Sequence, residues 1–330
     1  MEYQKLFDAG IAKESLAAWR AQGKKALGVV CCHVPHEILH AAGILPVRLR
    51  ATGCEDYNEA EVWMSSFSCS FAKSILQYFI DGVYELDGLI TSDGCMQAVR
   101  IYDNWRAYAK KAGKPQTLIE VGAPRMVSAT TREYYAEELR LLAQQMEEQS
   151  GNKITDDKLR ASIALYNEQR VLVRELLELL KSEQPVLTGA QTLTMMLAST
   201  NMPVEEYNAL LRSFLADVEK MTPVGDYRAR LLIIGSALDN PKYIETIENK
   251  GGLVVADTLC LGSMGFGEPL TPKTDDLYAA LAEYYLDRIV CPRMIDNRDA
   301  LHALIVQKAQ DYRVNGVLYQ KMQNCECWGG

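Results

Sequence analysis

The sequence predicts an α/β protein with two parallel-sheet domains of the Rossmann or flavodoxin-like kind, joined by a helical segment. Three observations predict it. Short apolar runs bounded by turn residues alternate with stretches of helical periodicity as far as Arg125. Long amphipathic helices replace that alternation in the middle of the chain, and the alternation returns from Arg230 onward. Strands that alternate with helices form parallel sheets covered on both faces. A chain of 330 residues also exceeds one ordinary core and points to about two domains. The breaks at Gly151-Asn152 and Met221–Asp226, the latter with Pro223 and Gly225, divide it. They give an N-terminal α/β domain over 1–150, a connecting helical segment over 151–225 and a C-terminal α/β domain over 226–330.

The elements follow in order. Ala26–Cys31 is an apolar run that reads as the first strand, and Pro35–Ala42 follows as a helix with proline at its start. Pro46–Leu49 is a second short strand. Phe71, Ile75, Leu76 and Phe79 give Ser70–Phe79 a helical spacing. Asp87–Ile90 is a strand, Met96–Ala109 a helix and Thr117–Glu120 a strand. Arg132–Gln149 is an amphipathic helix with Tyr135, Leu139, Leu142 and Met146 on one face, and Asp156–Leu180 is a longer one. Gln191–Ser199 and Val204–Lys220 read as further helices. Arg230–Gly235, Leu253–Ala256 and Gly316–Tyr319 then read as strands, with helices at Pro241–Asn249, Asp275–Leu286 and Asp299–Tyr312.

Composition excludes several functions. Net charge is −8, which argues against non-specific nucleic-acid binding, where basic surface displaces counterions. Residues 1–25 carry charges throughout and do not read as a signal peptide. No stretch approaches the roughly 20 apolar residues that span a bilayer. These features predict a cytoplasmic protein that engages neither membrane nor nucleic acid. In that reducing compartment the nine cysteines are not expected to pair as disulfides, and their spacing is not that of a zinc finger. An isolated cysteine is ordinarily a buried small hydrophobe. Here, however, Cys31 and Cys32 end the first strand, and Cys95, Cys260, Cys325 and Cys327 each follow a later strand. Cys69 sits at the mouth of a helix. Ligands of open α/β sheets bind outside the carboxyl ends of the strands. Helix N-termini and strand ends also offer N–H groups that favour thiolates and anionic clusters. That grouping points to a metal or iron–sulfur site.

Several stretches carry a resemblance to the 2-hydroxyacyl-CoA dehydratase and benzoyl-CoA reductase family. Val34-Pro35-His36-Glu37-Ile38 and Ala41-Ala42-Gly43-Ile44-Leu45-Pro46-Val47 resemble its opening. Phe67-Ser68-Cys69-Ser70, with Lys73 and Ser74, resembles its first cluster-cysteine segment, in the form closest to the benzoyl-CoA reductase branch. Asp87-Gly88-Leu89-Ile90 with Gly94-Cys95 and Arg100 resembles the second. Asn315-Gly316-Val317-Leu318-Tyr319-Gln320 with Asn324-Cys325 resembles the third. Ala123-Pro124-Arg125, and Gly235-Ser236 with Asp239, Pro241 and Cys260, fit between them.

The resemblance implies an oxygen-sensitive [4Fe–4S] cluster held by Cys69, Cys95 and Cys325, with one iron open. It implies a subunit that adds one electron to a CoA thioester, giving a ketyl radical anion that loses its hydroxyl, or reducing an aromatic ring in the reductase branch. It implies a paralogous second subunit, or a second copy, and a separate ATP-hydrolysing iron–sulfur activator. A double-cubane-type reductase and an electron-relay subunit without its own substrate site are the alternatives. The chain contains no G-x-x-x-x-G-K-[ST] phosphate loop, in keeping with that division of labour. Gly262–Gly267 reads as a flexible loop. By the same resemblance Glu37 leads the acid–base candidates, with His36 and His33 beside it, against a plainer reading of the histidines as solvent-facing groups at a helix start. Arg48, Arg50, Lys73 and Arg100 are candidates for CoA phosphates. Cys54, Cys260 and Cys291 read as structural, Cys31 and Cys32 remain open, and Cys327 falls where the family often has proline. The family usually continues for about one more strand–helix unit, so a truncated or short C-terminal domain is also implied.

Overall fold

The computed structural model describes residues 2–8, 10 and 13–329. Four parallel strands form the first sheet: β1 (Ala26–Val30), β2 (Leu45–Arg48), β3 (Gly88–Ser92) and β4 (Thr117–Val121), in the order β2-β1-β3-β4. β1 and β3 are central and buried at every residue, as continuous apolar runs between two helical layers must be. At Gly88 an added Cβ would fall on the Thr117 carbonyl, so β3 and β4 pair this closely only without a side chain there. Three parallel strands form the second sheet: β5 (Ala229–Gly235), β6 (Gly252–Asp257) and β7 (Gly316–Gln320), in the order β6-β5-β7.

The helices are α1 (Lys13–Arg20), α2 (His36–Ala41), α3 (Asn58–Glu61), α4 (Ser70–Ile80), α5 (Met96–Lys111), α6 (Ala129–Ser150), α7 (Asp156–Glu178), α8 (Gly189–Ala198), α9 (Val204–Asp217), α10 (Lys242–Glu248), α11 (Leu277–Asp287) and α12 (Arg298–Asp311). Ser128 and Thr188 cap α6 and α8 in reciprocal capping boxes, and Gly151 ends α6 in the left-handed conformation. None of the described helices is long and apolar enough to cross a membrane.

Three apolar clusters make the core. One covers a face of the first sheet with α1, α4 and α5, including Leu16, Trp19, Ile75 and Trp105. A second covers the other face with α2 and α6 and adds Leu277, Leu281 and Leu286 from α11. The third joins α7, α8 and α9 to the second sheet. Leu6, in a 3₁₀ turn over Glu2–Phe7, belongs to that third cluster. The highly charged N-terminus therefore contributes Leu6, Leu16 and Trp19 to the core, a packing its sparse apolar pattern does not announce. α11 lies between β6 and β7 of the second sheet in sequence yet completes the first sheet's helical layer against α6.

Arg50, fully buried, ties the chain after β2 to the segment after α8 and to Gly10. Its guanidinium donates to Thr200 Oγ1 (2.9 Å), Thr52 Oγ1 (2.5 Å) and the Gly10 carbonyl (2.6 Å). Beside it, Asp239 accepts from the Ala51 N–H at 2.7 Å, and Thr52 Oγ1 donates to the Asp239 carbonyl at 2.6 Å. Arg50→Met should lower unfolding stability by about 3 kcal/mol, since Thr200, Thr52 and the Gly10 carbonyl lose their donor at once. Urea denaturation followed by tryptophan fluorescence measures this.

Candidate metal centre

In each sheet the strand order reverses once, and ligands gather outside the carboxyl ends at that point. In the first sheet the reversal lies between β1 and β3, whose ends lead into Cys31-Cys32 and Gly94-Cys95. In the second it lies between β5 and β7, whose ends lead into Ser236-Ala237 and Met322–Cys327. The two reversal points share one cavity of about 150 Å³. Cys31, Cys32, Cys69, Cys95, Cys260, Cys291, Cys325 and Cys327 all line it, eight of the nine cysteines of the chain. Cys54 lies elsewhere.

Cys69 and Cys325 are 256 residues apart in sequence, and side-chain and backbone bonds stitch their segments together. The Ser70 N–H donates to the Gln323 carbonyl (3.1 Å), and Asn324 Nδ2 donates to the Ser66 carbonyl (3.1 Å). Gln97 accepts from the Cys69 N–H (3.0 Å) and donates to Glu326 Oε1 (3.3 Å). Ser236 Oγ accepts from the Met322 N–H (2.8 Å), fixing the loop to the end of β5. Cys69 and Cys95 each occupy the N-cap of a helix, α4 and α5. Burial raises the Cys69 thiol to about 12, against first-turn amides that work the other way. A hydrogen bond from Cys327 lowers Cys95 to about 7.

Arg293 organises the other wall. Buried among three strand ends, it donates to Gly94 O (2.7 Å), Ala123 O (2.6 Å) and His33 Nε2 (3.1 Å). A guanidinium only donates, so His33 Nε2 accepts and Nδ1 carries the proton. Nδ1 then donates to Cys31 Sγ at 3.3 Å. Hydrogen bonding from Cys32, with help from His33 and Arg48, outweighs burial and holds the Cys31 thiol well below its ordinary value. Cys31 itself sits at φ +79°, a conformation costly for a side-chain-bearing residue. An added Cβ at Gly94 would lie 3.0 Å from the Cys31 sulfur, so glycine leaves that sulfur room. The donor atoms of Cys31, Cys32 and His33 lie within 4.8 Å of one another. Sequence reasoning missed Arg293, which lies between elements and carries no periodic or motif signal. It also read Cys260 and Cys291 as structural, and both line the cavity.

The acid–base candidates separate. Glu37 has no exposed surface. It pairs with Arg170 and accepts from Tyr285 Oη at 2.7 Å. Burial opposes its charge, but Arg170 and the hydrogen bonds from Tyr285 and Arg170 prevail and keep its pKa below the usual carboxylate range. Glu37 lines neither this cavity nor the one beside it. His33 is committed to Cys31 and Arg293. His40 lies between Ser162 Oγ (3.0 Å) and Glu205 (2.9 Å). That string is no nucleophile, because the buried Ser162 hydroxyl donates to the Glu37 carbonyl at 2.8 Å. His36 alone of the three candidates faces a second cavity, its ring edge-on to Tyr166.

That second cavity, of about 70 Å³, shares Cys32, Arg48 and Cys260 with the first. It continues between α7, α8 and the Gly262–Phe266 turn. The turn is not loose, since Asp257 Oδ1 accepts from the Leu259 (2.8 Å) and Ser263 (2.9 Å) amides. Among the arginine and lysine candidates, Arg48 lines both cavities. Arg50 and Lys73 are buried and already engaged, Lys73 with Glu61 at 2.9 Å, so neither is placed for a phosphate. Arg100 is exposed on α5.

Two open α/β sheets thus meet at their reversal points around a nest of thiols, the donor type that soft metals select. The chain belongs to the 2-hydroxyglutaryl-CoA dehydratase D-component family, whose model matches residues 31–330. The resemblance read from the sequence is thereby borne out. The (R)-phenyllactyl-CoA dehydratase beta subunit of Clostridium sporogenes is 23% identical over 307 residues, covering 92% of this chain and 80% of the relative. The beta subunit of (R)-2-hydroxyglutaryl-CoA dehydratase from Acidaminococcus fermentans is 24% identical, covering 98% and 86%. A benzoyl-CoA reductase subunit from Thauera aromatica is 30% identical over 244 residues, covering 71% and 61%. The family places the chain among enzymes of the lyase or related CoA-thioester reductase kind.

Glu37→Gln should destabilise the fold by about 3–5 kcal/mol by leaving Arg170 uncompensated in the interior. The pair's contribution is present above the unfolded carboxyl pKa of about 4.3 and is lost as pH falls through the depressed folded value. Wild type should therefore lose this share of stability in acid, and Glu37→Gln should lack that part of the pH dependence in urea titrations.

Proposed function

We propose that this chain is the iron–sulfur subunit of a 2-hydroxyacyl-CoA dehydratase, with a [4Fe–4S] cluster held by Cys69, Cys95 and Cys325. The observation that carries the reading is the single cavity onto which eight cysteines converge. The donor set fits the group. Thiolates are the ordinary ligands of such clusters, Gly94 leaves room beside a sulfur, and Cys69 and Cys95 lie where helix N-termini favour negative charge. When bound, a cluster with three protein ligands supplies one electron to the thioester and an open iron as a Lewis acid.

The chain's own residues do the rest. Cys69, Cys95 and Cys325 bind, and the Gln97, Ser236 and Asn324 bonds hold them in place. Arg293 fixes the His33 tautomer that faces Cys31. His36 lies in the adjoining cavity with its pKa lowered to about 4, by burial first and then by Arg48, and so stays neutral at pH 7. Its ring nitrogens have no hydrogen-bond partner among the described residues, which leaves a neutral imidazole free to accept or donate a hydrogen bond to a group in the cavity. Glu37 acts on Arg170 and Tyr285 and serves as a positioning residue. The cavity beside the thiols favours a substrate-bearing subunit over a pure relay. The relatives are themselves named as subunits, which supports a second, paralogous subunit or a second copy, and the division of labour read from the sequence supports a separate ATP-hydrolysing iron–sulfur activator.

A second reading rests on a specific observation. Five further cysteines, Cys31, Cys32, Cys260, Cys291 and Cys327, line the same cavity, which favours a double-cubane-type reductase. Iron and acid-labile sulfide, measured per chain on protein purified without oxygen, separate the two. About four of each fits one [4Fe–4S] cluster, and about eight iron atoms fits two linked cubanes. Under either outcome Cys69→Ser, Cys95→Ser and Cys325→Ser should each lose iron and Cys54→Ser should keep it. Wild type without iron after reconstitution, or equal loss from Cys54→Ser, sinks the assignment.

A further inference from the structure

The loop that carries Cys325 carries a second thiol, Cys327, and the two have different surroundings. Cys69, Cys95 and Cys325 share one arrangement. The Cys69 sulfur accepts from the Phe71 and Ala72 amides, the Cys95 sulfur from Gln97 and Ala98, and the Cys325 sulfur from Cys327 and Trp328. In each case the donors lie two and three residues further along the chain. Cys69 and Cys95 obtain them from the first turn of a helix. Cys325 obtains them from a tight turn. Asn324 begins it at φ +60°, a left-handed conformation that asparagine tolerates. The Cys325 N–H donates to the Met322 carbonyl at 3.1 Å. An added Cβ at Gly329 would lie 2.5 Å from the Cys325 carbonyl, so glycine lets the chain fold back there. Amides aimed at a sulfur favour its thiolate and fix its orientation as a ligand. Cys327 is placed otherwise. Its thiol is hydrogen-bonded to the Cys95 sulfur. It lines the same cavity as the other three. Glu326, the residue between the two loop thiols, is tied through Gln97 to the Cys69 N–H, with bonds of 3.3 and 3.0 Å. That bridge holds the loop over Cys69 and Cys95. The Cys31 sulfur, by contrast, is already engaged by His33 Nδ1 at 3.3 Å.

On the single-cluster reading above, we infer that Cys327 is the fourth ligand of the cluster while no substrate is bound, and that it is the ligand a substrate displaces. Four cysteines are the usual complement of a [4Fe–4S] cluster, and a fourth thiolate closes the iron that three leave open. Ligating thiols bind as thiolates, so loading releases the proton that Cys95 and Cys327 share. Displacement reverses the step at Cys327 alone. Its bond to iron breaks, its sulfur takes a proton from solvent, and the thiol again donates to Cys95. The three sulfurs that hold paired amides stay bound, and Cys327 is the one whose partner is another ligand. It therefore shields the fourth iron from water and small anions until a substrate group takes its place.

Mild ferricyanide oxidation of the full chain, purified without oxygen, tests this, because an iron without a cysteine ligand is the first to leave such a cluster. Wild type should keep about four iron atoms per chain, whereas Cys327→Ala should fall to about three and show the electron paramagnetic resonance signal of a [3Fe–4S] cluster. Cyanide should shift the spectrum of the reduced Cys327→Ala cluster and leave that of wild type unchanged. Loss of one iron from wild type, a cyanide shift in wild type, or a Cys327→Ala cluster as resistant as wild type overturns the inference and leaves the single-cluster reading intact. Complete loss of iron from Cys327→Ala with an unchanged circular dichroism spectrum makes Cys327 a fixed ligand and overturns it too. If that variant does not fold, the cyanide response of wild type decides alone: no shift upholds the inference and a shift overturns it. About eight iron atoms in wild type, or none, removes the single-cluster reading and this inference with it.

Discussion

One buried ion pair holds the three regions of this protein in register. Glu37 lies in the first turn of α2, Arg170 on the long helix α7, and Tyr285 on α11, which follows the second sheet's first two strands in sequence. A carboxylate without exposed surface tolerates no loss of its partners, because the desolvation cost of a lone buried charge exceeds what the surrounding packing returns. The three helices are therefore committed to one arrangement. Neighbouring residues of a helix point in directions about 100° apart, so burying Glu37 turns His36 toward the cavity. His36 therefore lines the second cavity while Glu37 is withdrawn into the ion pair.

The second constraint is topological. A doubly wound sheet opens a crevice only where its strand order reverses. Two such sheets, turned so that their crevices face each other, produce one enclosed space walled by loops from both. Cysteines scattered from Cys31 to Cys327 meet there because most of them follow a strand or begin a helix at that end of a sheet. Burial raises several of these thiols, Cys260 to about 11 and Cys291 to about 12. A soft metal reverses that tendency by binding the thiolate and releasing its proton, so metal affinity and folding are linked. Arg293 adds a rigid frame, bridging the ends of β1, β3 and β4 with one side chain.

Charge is distributed against the average. The chain as a whole carries an acid excess, whereas the interior space beside the thiols is lined by guanidiniums. Stacking, hydrogen bonds or an ion pair steady two of these cations, Arg288 and Arg170. Arg48 is the exception, at the junction of the two cavities.

Much of this was legible in the residues themselves. Alternating apolar runs and helical periodicity determine both sheets and nearly every helix, because backbone hydrogen bonding and one-sided burial are local demands. Cys31, Cys32, Cys69, Cys95, Cys260, Cys325 and Cys327 were legible as a group because strand ends and helix starts can be located from pattern, whereas the choice of Cys69, Cys95 and Cys325 among them came from the family resemblance. Spacing within a motif says nothing about which distant loops meet. Only the tertiary structure added Cys291 to that group, withdrew Glu37 into an ion pair, and found Arg293 together with Arg48 and Arg288, which lack a carboxylate partner among the described residues. Those outcomes depend on how two sheets dock through contacts more than 100 residues apart, such as Arg170 with Glu37 at a separation of 133 and Arg293 with His33 at 260. Periodicity carries no record of such contacts, since it reports which face of an element is buried and not what lies against it.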